Sequence, residues 1–312
     1  MANGLKSKLI LGLSLLFIVG CASKVHEEKV KTSVPKLAPK AKYSGPKMRL
    51  AVSSFEDKSG YGTNMFGQID ALGDQAADML STHLIQTDEF IVLERQNLQA
   101  LEKENKLSEN ASQFIGVSAL IFGSVIELGT KTEWQDAGLS KEKIQTAHAK
   151  VAIRLVDPKT GVAFYSEFGE ANANKSSSTT LGFGGKSSYD ATLTDKALNA
   201  AIAKLMGNIL NNLRSRPWQA SVLDTDENGV YITAGKRMGI KVGQTLKVFK
   251  PGKQIKNKMT GAMIQLPGTE VGMIQVISQF GSSDLDEGSI CTILSGTDIQ
   301  KDYIVELMEG QK

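Results

Sequence analysis

Glu89–Leu101, EFIVLERQNLQAL, is the stretch whose reading decides the fold. Phe90-Ile91-Val92-Leu93 is an apolar run of the length of a buried strand. The polar cluster Glu94-Arg95-Gln96-Asn97 follows at once, and Leu98, Leu101 and Leu107 then recur at roughly helical spacing. A strand that runs into a helix through a paired-charge corner predicts the central piece of a small α/β layer. On the residues alone it is a scaffold corner with no chemistry of its own.

Working outward, Met48–Phe55 alternates as a strand, and Glu56–Gly60 is a turn cluster that opens a glycine-rich loop to about Gly67. Leu72, Ala76, Met79, Leu80, His83 and Leu84 mark one face of a helix over Ala71–Ile85. Downstream, Ser108–Ser118 reads as a turn and short helix, and Ala119–Leu128 as a second apolar strand. Val151–Val156 reads as a third, turning at Asp157–Gly161 so that Val162–Phe168 returns antiparallel. Leu193–Leu213 is the clearest helix, with Ala197, Leu198, Ala201, Leu205, Ile209 and Leu213 on one face. Arg214–Trp218 marks a boundary, after which short strands alternate with glycine turns, among them Asp226-Glu227-Asn228-Gly229. The expected fold class is an α/β (α+β) layered domain with a mixed sheet and flanking helices, followed by a small all-β barrel-like domain. The expected divisions are 1–20, a signal peptide; 21–47, a lipidated cysteine and basic tether; 48–216, the α/β domain; and 217–312, the β-rich domain.

A hydrophobic content of 41% with 22% charged residues describes a folded chain. The net charge of +3 hides an asymmetry: residues 1–46 carry +6 and the remaining body −3. A mildly acidic body without a nucleic-acid motif excludes a nucleic-acid partner. Two cysteines exclude a disulfide framework and a zinc site, and His26, His83 and His148 have no second histidine or cysteine at ligand spacing. No nucleophile–base arrangement or cofactor loop is present, so the chain reads as a non-enzyme without cofactors. Thr180–Ser187, TLGFGGKS, is one residue from a phosphate-binding loop. It lacks the first glycine, the buried strand before it and a helix opening at its Lys-Ser, so no nucleotide partner is expected.

Lys6 and Lys8 precede an eleven-residue apolar run, Leu9–Val19, too short to span a bilayer and right for an export signal. Ile18-Val19-Gly20-Cys21 resembles the lipobox of bacterial lipoproteins, which implies diacylglycerol on the Cys21 sulfur, cleavage before it and acylation of the new amino terminus. Ala22 follows, not the aspartate associated with inner-membrane retention. The expected location is therefore the outer membrane, lipid-anchored and facing the periplasm. The lysine- and proline-bearing stretch to Pro46 reads as an extended tether.

AVSSFEDKSG, FIVLERQNLQAL, ALIFGSVIEL, KVAIRLVDPKTGVAFYSEFGEANA and SYDATLTDKALNAAI, in that order, resemble the curli production assembly/transport component family, the CsgG-type lipoproteins, over about Met48–Leu213. The resemblance implies a ring-forming outer-membrane lipoprotein that exports unfolded fibre subunits without hydrolysing nucleotide. It places a possible constriction loop at Tyr61, Asn64 and Phe66 in YGTNMF. It also implies two membrane hairpins per subunit, falling on Thr130–Lys150 and Glu170–Tyr189, both of which are polar. VYITAGKRMGIKVGQTLKVFKPG with VGMIQVISQF is similar to the C-terminal domain of the flagellar T-ring protein family, a docking type of domain. In a ring, Glu94 and Arg95 are candidates for fixing subunit geometry. The expected partners are the outer membrane through acylated Cys21, further copies of the chain, and secreted fibre subunits or envelope-machine proteins. The alternative is a non-pore structural or anchoring collar of a flagellar, holdfast or envelope machine.

Overall fold

The computed structural model describes residues 30–32, 45–53, 55–61, 71–94, 117–137, 140–158, 160–180, 192–256, 258–259, 263–284 and 286–308. The first unit contains β1 (Val30–Thr32), β2 (Met48–Val52), β3 (Glu56–Asp57), α1 (Ala71–Gln86) and β4 (Phe90–Glu94). It continues with β5 (Val117–Ala137), β6 (Ser140–Val156), β7 (Ala163–Thr180) and α2 (Thr192–Arg214). Its sheet is ordered β1–β7–β6–β5–β2–β4, with β3 added on β5. β2 is parallel to β4 and β5, whereas β5, β6 and β7 are antiparallel, so the sheet is mixed.

The two helices lie side by side over the sheet, joined by His83 Nε2 to Asn199 Oδ1 at 2.8 Å and by Gln75 Nε2 donating to Asp195 Oδ1 at 3.1 Å. Ala197, Leu198, Ala201, Leu205, Ile209 and Leu213, the expected face of α2, are all buried. Each large aliphatic side chain among them contributes about 1.5–3 kcal/mol of transfer free energy. The facing strand residues are small: Ala147, Ala149, Ala171 and Ala173 are buried, and a Cβ on Gly169 would lie 2.2 Å from the Ala201 carbonyl oxygen. Small residues on both sides let helix backbone and sheet approach closely.

β4 departs from its expected central place, since it ends the described sheet and pairs with β2. Phe90 and Ile91 are both buried although consecutive strand residues point to opposite faces. The apolar run therefore reports burial on two faces, not position within the sheet. Asp88 just before it sits at φ 64°, ending α1 in the left-handed conformation that usually falls to glycine or asparagine. The helix expected over Leu98–Leu107 lies outside the described residues.

The antiparallel strands run far beyond their expected ends. β5 spans 21 residues where ten were expected, and β6 and β7 span 17 and 18. At about 3.3 Å per residue β5 is about 65 Å long.

The second unit is a closed barrel ordered β10–β13–β14–β9–β8–β15. Its strands are β8 (Gln219–Asp226), β9 (Gly229–Ile232), β10 (Thr245–Lys250), β13 (Thr269–Phe280), β14 (Gly288–Gly296) and β15 (Ile304–Leu307). A small hairpin of β11 (Gln254–Lys256) and β12 (Met263–Gln265) is inserted between β10 and β13. β15, which the sequence reading missed, closes the barrel by pairing with β8 and β10. Val222, Val230, Ile232, Leu246, Val248, Ile274, Val276, Cys291 and Val305 fill it.

Candidate functional site

Two features stand out: a ribbon that protrudes from the sheet and a charged junction between sheet and barrel. The ribbon is the extension of β5, β6 and β7 past Leu128, the last buried residue among those described in β5. The β5–β6 ladder continues from Leu128 opposite Ala149 to Ala137 opposite Ser140, about 30 Å further on. Alternation assigns its faces. The helix-side face carries Thr130, Thr132, Trp134, Ala147, Gln145 and Lys143, with Lys143 Nζ 5.9 Å from the Trp134 ring centroid. The other face carries Lys131, Glu133, His148, Ile144 and Asn172. At its base His148 Nε2 lies 3.5 Å from Glu127 Oε2 and 3.9 Å from Glu170 Oε1, and His148 Nδ1 lies 2.8 Å from Asn172 Oδ1. Lys150 pairs with Glu127 at 3.4 Å. Both faces are thus dominated by polar groups, with Trp134 and Ile144 as the large apolar exceptions.

β1 lies on the free edge of this ribbon, with Val30 opposite Lys175, Lys31 opposite Asn174 and Thr32 opposite Ala173. β7 runs toward the ribbon tip and β1 is antiparallel to it. Val30 is therefore the end of β1 nearer the tip.

The barrel sits at the other end of the sheet, where β2 begins. The Lys47 amide donates to the Met238 carbonyl at 2.7 Å, and Trp218 Nε1 donates to the Lys47 carbonyl at 3.2 Å. Arg49, only 3% exposed, reaches from β2 to the loops after β9 and β13, donating Nη1 to the Thr233 carbonyl at 3.1 Å and Nη2 to the Asp284 carbonyl at 3.0 Å. Burial pulls its guanidinium below the ordinary arginine value, while the Glu287 and Asp284 carboxylates oppose that shift. Glu287, 6% exposed, accepts the Arg237 amide at 2.7 Å and the Met238 amide at 2.9 Å, holding the loop that presents Thr233. α2 is tied down at its end by Arg214, whose Nε and Nη2 reach the two Glu89 carboxylate oxygens at 2.8 and 2.5 Å. Arg216 pairs with Asp157 at 2.5 Å and covers the Phe164 ring at 4.5 Å.

Beside this junction a cleft of about 430 Å³ is lined by Lys47, Ile85, Asp88, Phe90, Ile91, Val92, Arg237 and Asp284. Its charges are matched in pairs, Lys47 with Asp88 at 2.5 Å and Arg237 with Asp284 at 3.5 Å, and its lining holds no serine, cysteine or histidine. Among the described residues no cluster of His, Cys, Asp and Glu has the arrangement of a metal site. Cys291 is buried in the barrel, and burial pushes its thiol up to about 12, so it is a packing residue and not a nucleophile. Among the described residues no helix is long and apolar enough to cross a membrane.

Of the residues singled out from sequence, Tyr61 is described: it is 39% exposed, with its amide donating to Ser59 Oγ at 3.1 Å. Asn64 and Phe66 lie outside the described residues. Glu94 closes β4 opposite Val52, and Arg95 lies outside the described residues, as do Cys21 and the glycine-rich stretch after Thr180. Arg49, Glu89, Arg214 and Glu287 were not found from sequence. The signals were an arginine inside the apolar run Met48–Val52 and a glutamate abutting Phe90.

This architecture is a two-layer α/β unit with a long antiparallel ribbon, followed by a barrel. Residues 33–238 match the family model "Curli production assembly/transport component CsgG", and the chain belongs to this family. The match crosses the junction and ends within the loop after β9, at Met238. Among curated proteins, the Neisseria meningitidis serogroup B protein named "Putative lipoprotein NMB1126/NMB1164" is 34% identical over 216 residues, 68% of this chain and 96% of that one. Among solved structures, lipoprotein GNA1162 from Neisseria meningitidis is 14% identical with a TM-score of 0.26, covering 54% of this chain and 99% of that one. The PelC dodecamer from Paraburkholderia phytofirmans is 16% identical with a TM-score of 0.24, covering 61% of this chain and 100% of that one.

Proposed function

We propose that this chain is a non-enzymatic outer-membrane lipoprotein, held on the periplasmic side by acylated Cys21. In this reading it assembles into an oligomeric ring that serves the secretion or assembly of curli-like or other surface structures. Family membership supports the transport or assembly role, and the meningococcal relative carries the word lipoprotein in its name. The observation that carries the reading is the register of β1, which directs the preceding chain toward the ribbon tip. Eight residues lie between Cys21 and Val30, so the anchor lies within about 30 Å of β1 at full extension. The membrane then faces the ribbon end and the barrel points into the periplasm. Tyr61, Asn64 and Phe66 form the constriction loop in this arrangement, and Glu94 and Arg95 help set the angle between subunits. Membrane fractionation and light scattering of the detergent-extracted chain test it. Cys21→Ser should move the protein from the outer-membrane to the soluble fraction, and the native chain should run as a closed oligomer. A native monomer, or an unchanged fractionation of Cys21→Ser, would refute the reading.

A second version, a collar that forms no pore, is favoured by the polarity of the ribbon. Membrane-spanning barrel strands need an apolar outward face along about 9–11 residues. Lys131, Glu133, Lys143 and Gln145 interrupt both faces here. Planar-bilayer recordings on rings separate the two: stepwise conductance identifies a pore, and silent rings identify a collar.

A further inference from the structure

We propose that the far end of the barrel carries a head-to-tail contact between copies of this chain, in which the cationic hairpin between β10 and β13 of one copy docks on the acidic β8–β9 turn of the next. The inference rests on the ring reading above and names the contact that propagates it. Between Thr245 and Thr269 the chain has five lysines and no acidic residue. Lys247 is paired with Glu270 at 2.8 Å, which leaves Lys250, Lys253, Lys256 and Lys258 without a local carboxylate in sequence to neutralise them. The same hairpin holds apolar side chains in water: Ile255 is 50% exposed, Met259 95% and Leu266 41%. Exposed apolar groups collared by lysines form an interaction surface, not a solubilising one.

The opposite flank of the barrel has the complementary charge. From Trp218 to Gly235 there are three acidic residues, Asp224, Asp226 and Glu227, and no basic one. All three are exposed. Barrel topology fixes how the two patches are placed. In the closed order, β14 separates the β10–β13 hairpin from the β8–β9 turn on one side and β15 separates them on the other, so the patches lie on opposite flanks. β10 and β8 are both antiparallel to β15 and hence run the same way, so both turns sit at one end of the barrel. That end is remote from the junction, where Thr233 and Asp284 meet Arg49. Neighbours in the same orientation, side by side, therefore bring unlike patches together. This is a heterologous contact of the kind that generates rings when the rotation closes. A lipid surface fits less well, because the hairpin lies at the end of the molecule away from the ribbon tip toward which β1 directs the chain.

The test uses full-length chain extracted in detergent, with particle mass followed against concentration and salt. Lys253→Glu/Lys256→Glu/Lys258→Glu should raise the half-assembly concentration at least about tenfold. Asp224→Lys/Glu227→Lys should do the same; Asp226 is left in place because it accepts the Asn228 and Gly229 amides of its turn at 2.7 and 3.2 Å. Combining all five changes in one chain, or mixing the two variants, should restore assembly, with unchanged far-ultraviolet circular dichroism throughout. If the native chain forms rings and the triple variant does so at the same concentration, this contact is wrong while the ring reading stands. If the native chain is monomeric, the ring reading itself fails, and this inference with it. Loss of assembly without rescue by the combined swap would overturn the second copy as occupant. Loss only of co-sedimentation with phosphatidylglycerol vesicles would assign the hairpin to lipid and overturn the proposal.

Discussion

The pair Glu89–Arg214 offers the sharpest test of how the first unit is held together. The Glu89 side chain is 6% exposed and that of Arg214 32%, with both carboxylate oxygens engaged. Removing one partner of a buried pair costs about 3–5 kcal/mol, mostly because the other charge is left without compensation. Arg214 keeps a third of its surface in water, so Arg214→Met should cost less, roughly 2–3 kcal/mol. Glu89→Leu should cost a similar amount, because it leaves the guanidinium facing an apolar group. The double variant, in which leucine and methionine meet over the end of β4, should recover most of the loss. A coupling of roughly 3 kcal/mol is therefore expected from the cycle. Urea unfolding of the two single variants and the double variant measures it. At about 2–4 °C per kcal/mol, thermal midpoints of the single variants should fall by roughly 4–12 °C. Costs that simply add in the double variant would refute the claim that this pair locks α2 to the sheet edge.

Two further outcomes follow from the packing and hydrogen bonding of the two units. Gly169→Val places a Cβ 2.2 Å from the Ala201 carbonyl oxygen and 2.7 Å from Leu205 Cγ, so α2 must move off the sheet; a loss of at least about 2–3 kcal/mol in chemical denaturation is expected, and unchanged stability would contradict the close packing. Hydrogen bonds from the Ser283 amide and hydroxyl, with further ones from Ser282, hold the Asp286 carboxyl at about 2, below its ordinary 3.8. A depressed folded-state value means that its stabilising contribution is complete above about pH 4 and is lost as pH falls toward 2; carbon-13 titration of Asp286 and acid unfolding of Asp286→Asn check the sign.

Much of the first unit was legible because its helices and core strands bury one or both faces. The α2 face and the apolar runs at β2, β4 and β5 were read correctly as elements. The ribbon was not legible in the pattern, since its residues beyond Leu128 give no apolar alternation to read; only the family resemblance put a hairpin on Thr130–Lys150, where β5 and β6 pair. Its strands persist because the ladder itself satisfies the backbone, with β5, β6 and β7 each extending the next. The edge position of β4 was hidden for the opposite reason: burial on both faces looks the same in sequence at an edge as at the centre. The barrel's closure escaped because β15 is four residues long and follows a loop in which Asp298 and Asp302 both adopt positive φ. The buried charges of the junction were invisible because their partners lie 49 to 235 positions away along the chain.

That separation gives Arg49 a consequence for the order in which the molecule is completed. β2 is made early, yet the carbonyls that receive its guanidinium belong to residues 233 and 284. Until those positions exist and have folded, Arg49 has to stay hydrated or be buried without these acceptors, which is costly. The sheet therefore cannot reach its final energy ahead of the barrel, although domains generally mature from the amino terminus. Closure of the last strands and sealing of the second strand become a single late event. Unfinished or truncated chains would be left with an open, hydrated seam at that point, a mark by which proteases could tell them from finished ones.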